Sequence, residues 1–350
     1  MKTARRVKRP TLKQLAEAAG VSIGTASNIL NNKSGLHSPE TVERVLTAAH
    51  RLGYRPNRVA RSLAARRTHT IGIVMEPQHA IFTRNHYATA VLDGVVEALA
   101  PRNYHLKIIT LNDLDPRMLW TQLDDGTVDG LLLIVPLMGS PLLEYHQHTH
   151  LPCVVVGSTL PKSLGFYCVD SANEPMMRLL VNWLLEQGHR RIGFIKGPDN
   201  QWSTHQRLKA YLETMADWGV EAQPDWIAPS NYEYSGGFAA ATQLLQVRPR
   251  LTAIVGSNDL LALGALDACA QHGVRVPRDL SVVGFDDMPM AALAKPPLTT
   301  IRNPIHDIGY AAADALLQQI ETGTPMQGNC LMQGELMVRE SAAPLHHRKS

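Results

Sequence analysis

Apolar residues recur along this chain with two different periods, and the change comes near residue 70. Before it lie three short stretches with helical spacing. The first carries Leu12, Leu15, Ala16 and Ala19, the second Ala26, Ile29 and Leu30, and the third Val42, Val45, Leu46, Ala49 and Leu52. Each stretch has its own start and stop signals. Thr11 with Gln14 three residues on forms a capping box. Gly20 suits a positive φ at the end of the first helix. Ser22 caps a second helix from Ile23 to Leu30. Ser38, Pro39 at the first helical position and Glu40 near the positive end of the dipole open the third helix, which Gly53 closes.

After Thr70 the pattern becomes short apolar runs of strand length: IGIVM, HLKIITL, GLLLIV, CVVVG, RIGFIK, AIVGS and LSVVGF. Helix-like stretches lie between them at 87–100, Pro116–Leu123, 203–218 and 260–272. Buried strands that alternate with helices predict parallel sheets covered on both faces. The strand ends bear Gly157, Gly197, Asn258 and Asp286. Such ends are where these sheets hold ligands. The fold class expected is therefore a small all-α head followed by an α/β body. A length of 350 residues gives room for both.

Charge divides the chain at the same place. Residues 1–68 contain 14 Lys and Arg against 3 Asp and Glu, and the remaining 282 contain 20 against 28. A net charge of +3 thus hides a basic head on an acidic body, and the head alone calls for a polyanion. No apolar run reaches the ~18 residues of a membrane span. The basic start MKTARRVKRP lacks an apolar segment after it, so a cytoplasmic protein without a secretory leader is expected. Cys153, Cys168, Cys269 and Cys330 lack zinc or CxxC spacing and suit a reduced compartment as small buried hydrophobes.

Two short helices joined through Gly20, Val21 and Ser22 have the form of a helix-turn-helix. In that motif the N-terminal part of the second helix meets base edges in the major groove. Ile23, Gly24, Thr25, Ser27 and Asn28 are left on its outer face. Asn28 can pair with adenine through two hydrogen bonds, one donated and one accepted, and Ile23 can meet a thymine methyl. Thr25 and Ser27 suit phosphates, as do Thr11 and Ser22 at the helix starts. Gly24 costs about 1 kcal/mol against Ala within a helix. It either brings the backbone close to DNA or marks a place where no side chain reads a base. Beyond the third helix, residues 56–69 form an expected hinge. Asn57 can cap a short helix over 58–64, too short to persist alone in water. Arg58 and Arg61 can bind phosphates, Ala60 is small, and Leu63 can wedge a base step in the minor groove. A plain basic linker is the simpler alternative.

VSIGTASNILN, GYRPNRVARSL, VVGFDD and PPLTTI resemble the LacI/GalR family of bacterial repressors, and the likeness runs from Thr11 to about Arg339. It implies a homodimer whose two heads read a pseudopalindromic operator in double-stranded DNA. Paired Leu63 side chains would intercalate at its centre, and Ile23, Gly24 and Asn28 would set its sequence. It also implies a two-lobed body like the periplasmic sugar-binding proteins. The domains expected are a head at 1–55, the hinge at 56–69, a body at 70–342 for effector binding and dimerisation, and a tail at 343–350. Crossings between lobes are expected near 169–171, 297–301 and 322–327. The first lobe would then hold 70–168 and 301–322, and the second 169–297 and 327–342.

The same resemblance implies an effector site. Arg207, Asp286 and Asn258 match family positions that hold effectors, Tyr232 matches a stacking aromatic, and Asn85 and Tyr87 begin a first-lobe wall. Paired donors and acceptors with a flat face suit a sugar. Each residue has a plain structural alternative: an ion pair for Arg207, a helix cap for Asp259, Asp286 or Asp287, and ordinary packing for Tyr232. Ile134 and Gly157 replace residues that are polar in a galactoside-binding member, which speaks against a galactoside and for a more apolar first-lobe wall. His146 and His150 in YHQHTH are a helical turn apart, but a solvent-exposed helix end explains them and no metal or other cofactor is expected.

Nucleophile elbow, P-loop and GxGxxG motifs are all missing, so no enzyme is expected. The reading is a repressor controlled by a small molecule, expected to be a sugar. A purine- or nucleoside-responsive regulator is the nearest alternative, and a transport-type binding protein or an α/β enzyme with a DNA-binding appendage are more distant. The last residues lack leucine heptads, so no tetramerising coiled coil is expected.

Overall fold

The computed structural model describes residues 10–31, 34–55, 67–76, 85–111 and 115–345. The expected hinge residues Asn57, Arg58, Ala60, Arg61 and Leu63 lie outside them. Two compact units meet between Thr68 and His69.

The first unit holds α1 (Leu12–Ala19), α2 (Ile23–Leu30) and α3 (Pro39–Leu52). Local chemistry sets five of the six helix ends. Thr11 N–H donates to Gln14 Oε1 at 2.8 Å and Gln14 N–H donates to Thr11 Oγ1 at 3.3 Å. Ser22 Oγ accepts from Thr25 N–H at 3.0 Å, and Ser38 Oγ from Thr41 N–H at 3.3 Å. Gly20 and Gly53 end their helices with φ of 65° and 59°. Leu15, Ala16, Ala19, Ala26, Ile29, Val45, Ala48 and Ala49 form the core. Leu46, expected in that core, is 50% exposed. The inward face of α3 runs 45, 48, 49, 52, and Leu46 lies about 100° around the helix from Val45. Ala48 takes the place instead.

The second unit is built on two six-stranded sheets. The first contains β1 (Thr70–Met75), β2 (His105–Thr110), β3 (Gly130–Ile134), β4 (Cys153–Val156), β5 (Tyr167–Ser171) and β11 (Gly328–Met332), in the order β11-β5-β4-β3-β1-β2. All its pairings are parallel. Alternation along each strand feeds two cores. Ile71, Ile73, Leu132, Ile134, Val154 and Val156 face α4 (His86–Leu99) and α11 (Ile305–Thr322). Val74, Leu131, Leu133, Cys153 and Val155 face α5 (Pro116–Leu123) on the other side.

The second sheet contains β6 (Ile192–Lys196), β7 (Ile227–Pro229), β8 (Ala253–Gly256), β9 (Ser281–Asp286), β10 (Thr299–Arg302) and β12 (Glu335–Met337), in the order β12-β10-β9-β8-β6-β7. Only β12, paired with β10, runs antiparallel. One continuous core joins it to α6 (Asn173–Glu186), α7 (Trp202–Asp217), α8 (Tyr234–Leu244) and α9 (Asp259–Gln271). The short α10 (Pro289–Leu293) follows β9. Among the described residues no helix is long and apolar enough to cross a membrane.

The sheets redraw the expected lobes. β10 lies wholly in the second sheet, so the second crossing follows Arg302 rather than 297–301. β11 pairs with β5 in the first sheet, so residues 328–332 belong to the first lobe and the third crossing follows Met332 rather than 322–327. The first crossing follows Ser171, the last residue of β5, and Ala172 N–H there donates to Met332 O at 2.8 Å. In each case the chain finishes its strand before it leaves the sheet, because an unfinished ladder would leave backbone groups unpaired.

Candidate functional site

In the head, the N-terminus of α2 is an outward-facing surface. Ile23 is 49% exposed, and Ser22 and Gly24 are exposed beside it. Thr25, Ser27 and Asn28 are half-buried, while Ala26 and Ile29 anchor the opposite face. A Cβ on Gly24 would meet only Ser22 Oγ, at 3.7 Å, so no packing demand explains the glycine. Neither α1 nor α2 has an acidic residue in its first turn, which leaves both positive helix ends uncompensated. Ser22 Oγ and Thr25 Oγ1 are 2.9 Å apart at one of them.

In the body, a cavity of about 260 Å³ opens between the two lobes at the C-terminal ends of the strands. Asn85, Tyr87, Arg207, Tyr232, Asn258 and Asp286 all line it. The first lobe adds His86, Val135, Gly157, Asp170 and Ser171, and the second adds Gln201, Ser203, Asn231, Glu233, Leu260 and Met288. At the junction of the lobes Met138 N–H donates to Asn200 O at 2.9 Å.

Arg207, on α7, is buried. Its Nε donates to Asn173 Oδ1 at 2.8 Å, and its Nη1 donates to the Ser257 carbonyl. The guanidinium lies 3.8 Å from the centre of the Phe285 ring. Among the described residues no carboxylate is within ion-pair distance, so the salt-bridge alternative does not hold. Asp286 ends β9 with φ at 133°, a region that disfavours side chains. Asn303 Nδ2 donates to its Oδ1 at 3.1 Å. Neither Asp286 nor Asp287 caps a helix: α10 begins at Pro289, and its N-cap is Met288, which makes no side-chain cap. Asp287 pairs instead with Arg302 at 2.8 Å and Arg339 at 2.5 Å. Asp259 is not a cap either. It accepts from Met288 N–H at 2.7 Å and Thr300 Oγ1 at 2.5 Å, fastening the β9–α10 turn to α9.

Asn258 and Asn85 are the caps, of α9 and α4. Asn258 Oδ1 accepts from Leu261 N–H at 2.9 Å, and Asn85 Oδ1 from Ala88 N–H at 3.0 Å. The Asn258 amide also donates to the Tyr232 carbonyl at 3.3 Å. Tyr232 has φ of 64°, and its hydroxyl is 3.1 Å from Thr204 Oγ1. Its ring lies where a Cβ on Gly197 would be, 2.2 Å from the nearest ring atom. Gly157 plays the matching part in the first lobe: a Cβ there would fall 2.5 Å from the Tyr87 hydroxyl. The Tyr87 ring thus fills the space a side chain at 157 would take. Its hydroxyl is buried with no hydrogen-bond partner among the described residues. Ile134, expected on this wall, is turned into the core, and Val135 faces the cavity instead.

Burial sets the electrostatics. It pushes the Asp170 carboxyl up to about 6, against hydrogen bonds from Thr159 and Ser171 and the field of Arg207. Burial likewise raises Asp286, opposed by Arg207 and Asn303. Tyr87 is held well above the ordinary phenol range by burial, then by Asp170 and Asp286, so its hydroxyl stays a neutral donor. Asp170 escaped the sequence reading, although an acid closing the apolar run FYCV at a strand end is a signal of the kind Asp286 gives. Of the other missed residues, Gln201, Asn231 and Glu233 come from turns that no period marks, His86, Ser203 and Leu260 open α4, α7 and α9, and Val135, Ser171 and Met288 stand at or just past a strand end.

The segment around His146 and His150 is a 3₁₀ helix, Pro141–Gln147, ending before His150. The two residues therefore do not share a turn of α-helix, and His148 stacks on Trp120 with ring centroids 5.0 Å apart.

Comparison with known proteins bears on both units. Residues 11–57 match the model described as bacterial regulatory proteins, lacI family, and residues 181–342 the periplasmic binding protein-like domain. The chain is 35% identical over 340 residues to the HTH-type transcriptional regulator CelR of Thermobifida fusca, spanning 96% of this chain and 99% of CelR. A solved CelR–cellobiose complex superposes with a TM-score of 0.73 at 32% identity, over 95% of this chain and 100% of that one. The HTH-type transcriptional repressor PurR of Aliivibrio salmonicida is 30% identical over 338 residues, spanning 96% and 99%. The lac repressor dimer bound to operator and the anti-inducer ONPF gives a TM-score of 0.84 at 27% identity, over 96% and 100%. A helix-turn-helix head, a two-lobed parallel α/β body and full-length likeness to these regulators agree: the chain belongs to the LacI family of bacterial regulatory proteins.

Proposed function

We propose that this protein is a homodimeric transcriptional repressor whose grip on a pseudopalindromic operator is set by a small sugar held between its lobes. The observation that carries the sugar is the cavity. A buried guanidinium, a strained carboxylate and an unpaired tyrosine hydroxyl face one volume, with Tyr232 as a flat wall. Such a set donates to and accepts from neighbouring hydroxyls on one small molecule. CelR, solved in complex with cellobiose, supports the class of ligand. The lac repressor dimer on its operator supports the assembly and the DNA partner.

On this reading Ile23, Gly24 and Asn28 read bases, Thr11, Ser22, Thr25 and Ser27 fix phosphates, and Asn57, Arg58, Ala60, Arg61 and Leu63 act as the hinge. Arg207, Asp286, Asn258, Tyr232, Asn85 and Tyr87 hold the effector. Effector and DNA then alter each other's affinity by the same factor.

Calorimetric titration of the full chain with cellobiose, glucose and hypoxanthine tests the ligand class, followed by operator release with whichever binds. Saturable sugar binding that releases operator is the expected result. Binding of the purine with neither sugar would overturn it.

A further inference from the structure

Two charged groups of the cavity, Arg207 and Asp286, are tethered to the same interlobe crossing, each through one asparagine side chain. Arg207 Nε donates to Asn173 Oδ1 at 2.8 Å. The Asn173 amide in turn donates to the Ser171 carbonyl at 3.2 Å, to Asp170 Oδ2 at 3.3 Å and to Gln206 Oε1 at 2.9 Å. Asp286 Oδ1 accepts from Asn303 Nδ2 at 3.1 Å, and Asn303 Oδ1 accepts from Ser171 Oγ at 2.8 Å. Asn173 and Asn303 are almost fully buried, and neither lines the cavity.

Their places in the chain give this arrangement its meaning. Asn173 stands two residues after β5, where the chain first leaves the first sheet. Asn303 stands one residue after β10, where the chain returns to it. Ser171 belongs to the first lobe's sheet, and Arg207 and Asp286 belong to the second lobe. A ligand that draws Arg207 or Asp286 toward itself must therefore lengthen or redirect a hydrogen bond to a crossing segment. Both asparagines have their donors and acceptors engaged, so neither can yield without leaving a buried polar atom unpaired.

We propose that Asn173 and Asn303 are positioning residues that transmit occupancy of the cavity to the crossings between lobes, and so set the coupling between effector and DNA. This rests on the effector reading above for its last step. The mechanical step is independent of any ligand. Deleting the Asp286 carboxylate removes one end of a relay whose other end is Ser171.

The test is a double-mutant cycle on the full chain, with Asp286→Ala, Asn303→Ala and the pair, read by amide hydrogen exchange over 167–175 and 299–306. Asp286→Ala is expected to raise exchange over 169–173 about tenfold in the native background and less than twofold once Asn303 is Ala. Equal increases in both backgrounds would overturn the relay. Should Asn303→Ala not fold, Asn303→Ser is carried through the same cycle. A second arm measures operator Kd with and without cellobiose. The Asn303 variant is expected to cut the ratio of those two constants about tenfold while cellobiose Kd rises less than threefold. Loss in strict proportion to cellobiose affinity would make Asn303 a mere support of the binding site and overturn the coupling. A native protein indifferent to cellobiose would count against the sugar reading alone, since the exchange arm decides the relay without it.

Discussion

The two lobes meet the same cavity on unequal terms. On the second lobe, nearly every polar group is already held by protein. Arg207 is fixed by Asn173 and Ser257, Asn258 by Leu261 and Tyr232, Asp286 by Asn303, and Tyr232 by Thr204. On the first lobe Asn85, Asp170 and Ser171 are held by protein too, but beside them stand Val135, the bare backbone of Gly157 and a tyrosine whose hydroxyl has no hydrogen-bond partner among the described residues. One side is preorganised, and a ligand loses little in ordering it. The other side carries a buried hydroxyl that a ligand in the cavity would complete. Affinity should therefore rest on the second lobe, and lobe closure on the first.

The largest way to break this contrast is Arg207→Ala. It orphans Asn173 Oδ1 and the Ser257 carbonyl and removes the cation facing Asp170 and Asp286. Urea unfolding is expected to show a loss of roughly 3 kcal/mol, together with loss of ligand binding. Unchanged stability would mean that the second lobe is not preorganised by this residue.

Next comes pH. The Asp170 carboxyl moves from an ordinary 3.8 to about 6 on burial. A raised carboxyl binds its proton more tightly folded than unfolded. Its stabilising contribution is thus complete below about 4 and lost as pH rises through about 6, on the order of 2–3 kcal/mol in all. Asp170→Asn is expected to flatten the stability profile across that window, measured by urea unfolding at stepped pH. An unaltered slope would assign it to other groups.

Asp286→Ala is expected to weaken the effector by about 1.5–3 kcal/mol in calorimetry while operator binding persists in a gel-shift assay. Loss of operator binding instead would make the residue a structural support. Asn28→Ala, far from either lobe in sequence, is expected to relax base preference by about 1–3 kcal/mol and leave effector affinity alone. Equal losses on operator and random DNA would remove its reading role. The smallest effect is the most telling for the first lobe. Tyr87→Phe is expected to weaken the ligand by about 1 kcal/mol and to stabilise the ligand-free protein slightly, because it deletes an unpaired buried hydroxyl. A destabilised ligand-free protein would show that the hydroxyl has a partner after all.

What the chain revealed in advance follows from how local each signal is. The head was legible almost to the residue, since Thr11, Ser22, Ser38, Gly20 and Gly53 act within one turn of backbone. Leu46 was misplaced because a stripe drawn through every apolar residue of α3 is wider than the face that packs. Seven strands were legible as apolar runs. The edge strands β7, β11 and β12 and the inner strands β5 and β10 were not: β7 and β12 have three residues each, and β11 alternates half-buried with exposed positions. Lobe membership was the least legible, because β11 finds its partner β5 about 160 residues earlier in the chain. In the site, residues in family motifs were found, while Asp170, Ser171 and Val135 at strand ends were not. Gln201, Asn231 and Glu233 were not, since turns bring them in and turns have no period.

The lobe crossings also constrain how this protein is made. The first lobe starts at β1 but takes its edge strand from Gly328–Met332, and the second takes its own from Glu335–Met337. During synthesis neither sheet can be finished until the strands Gly328–Met332 and Glu335–Met337 have left the ribosome, whereas the head's three helices are complete once Gly53 has emerged. A nascent chain thus carries a finished DNA-reading head throughout the synthesis of a body that is not yet closed. A stop codon near residue 325 would strip an edge strand from both lobes at once and leave that head attached to two exposed sheet margins.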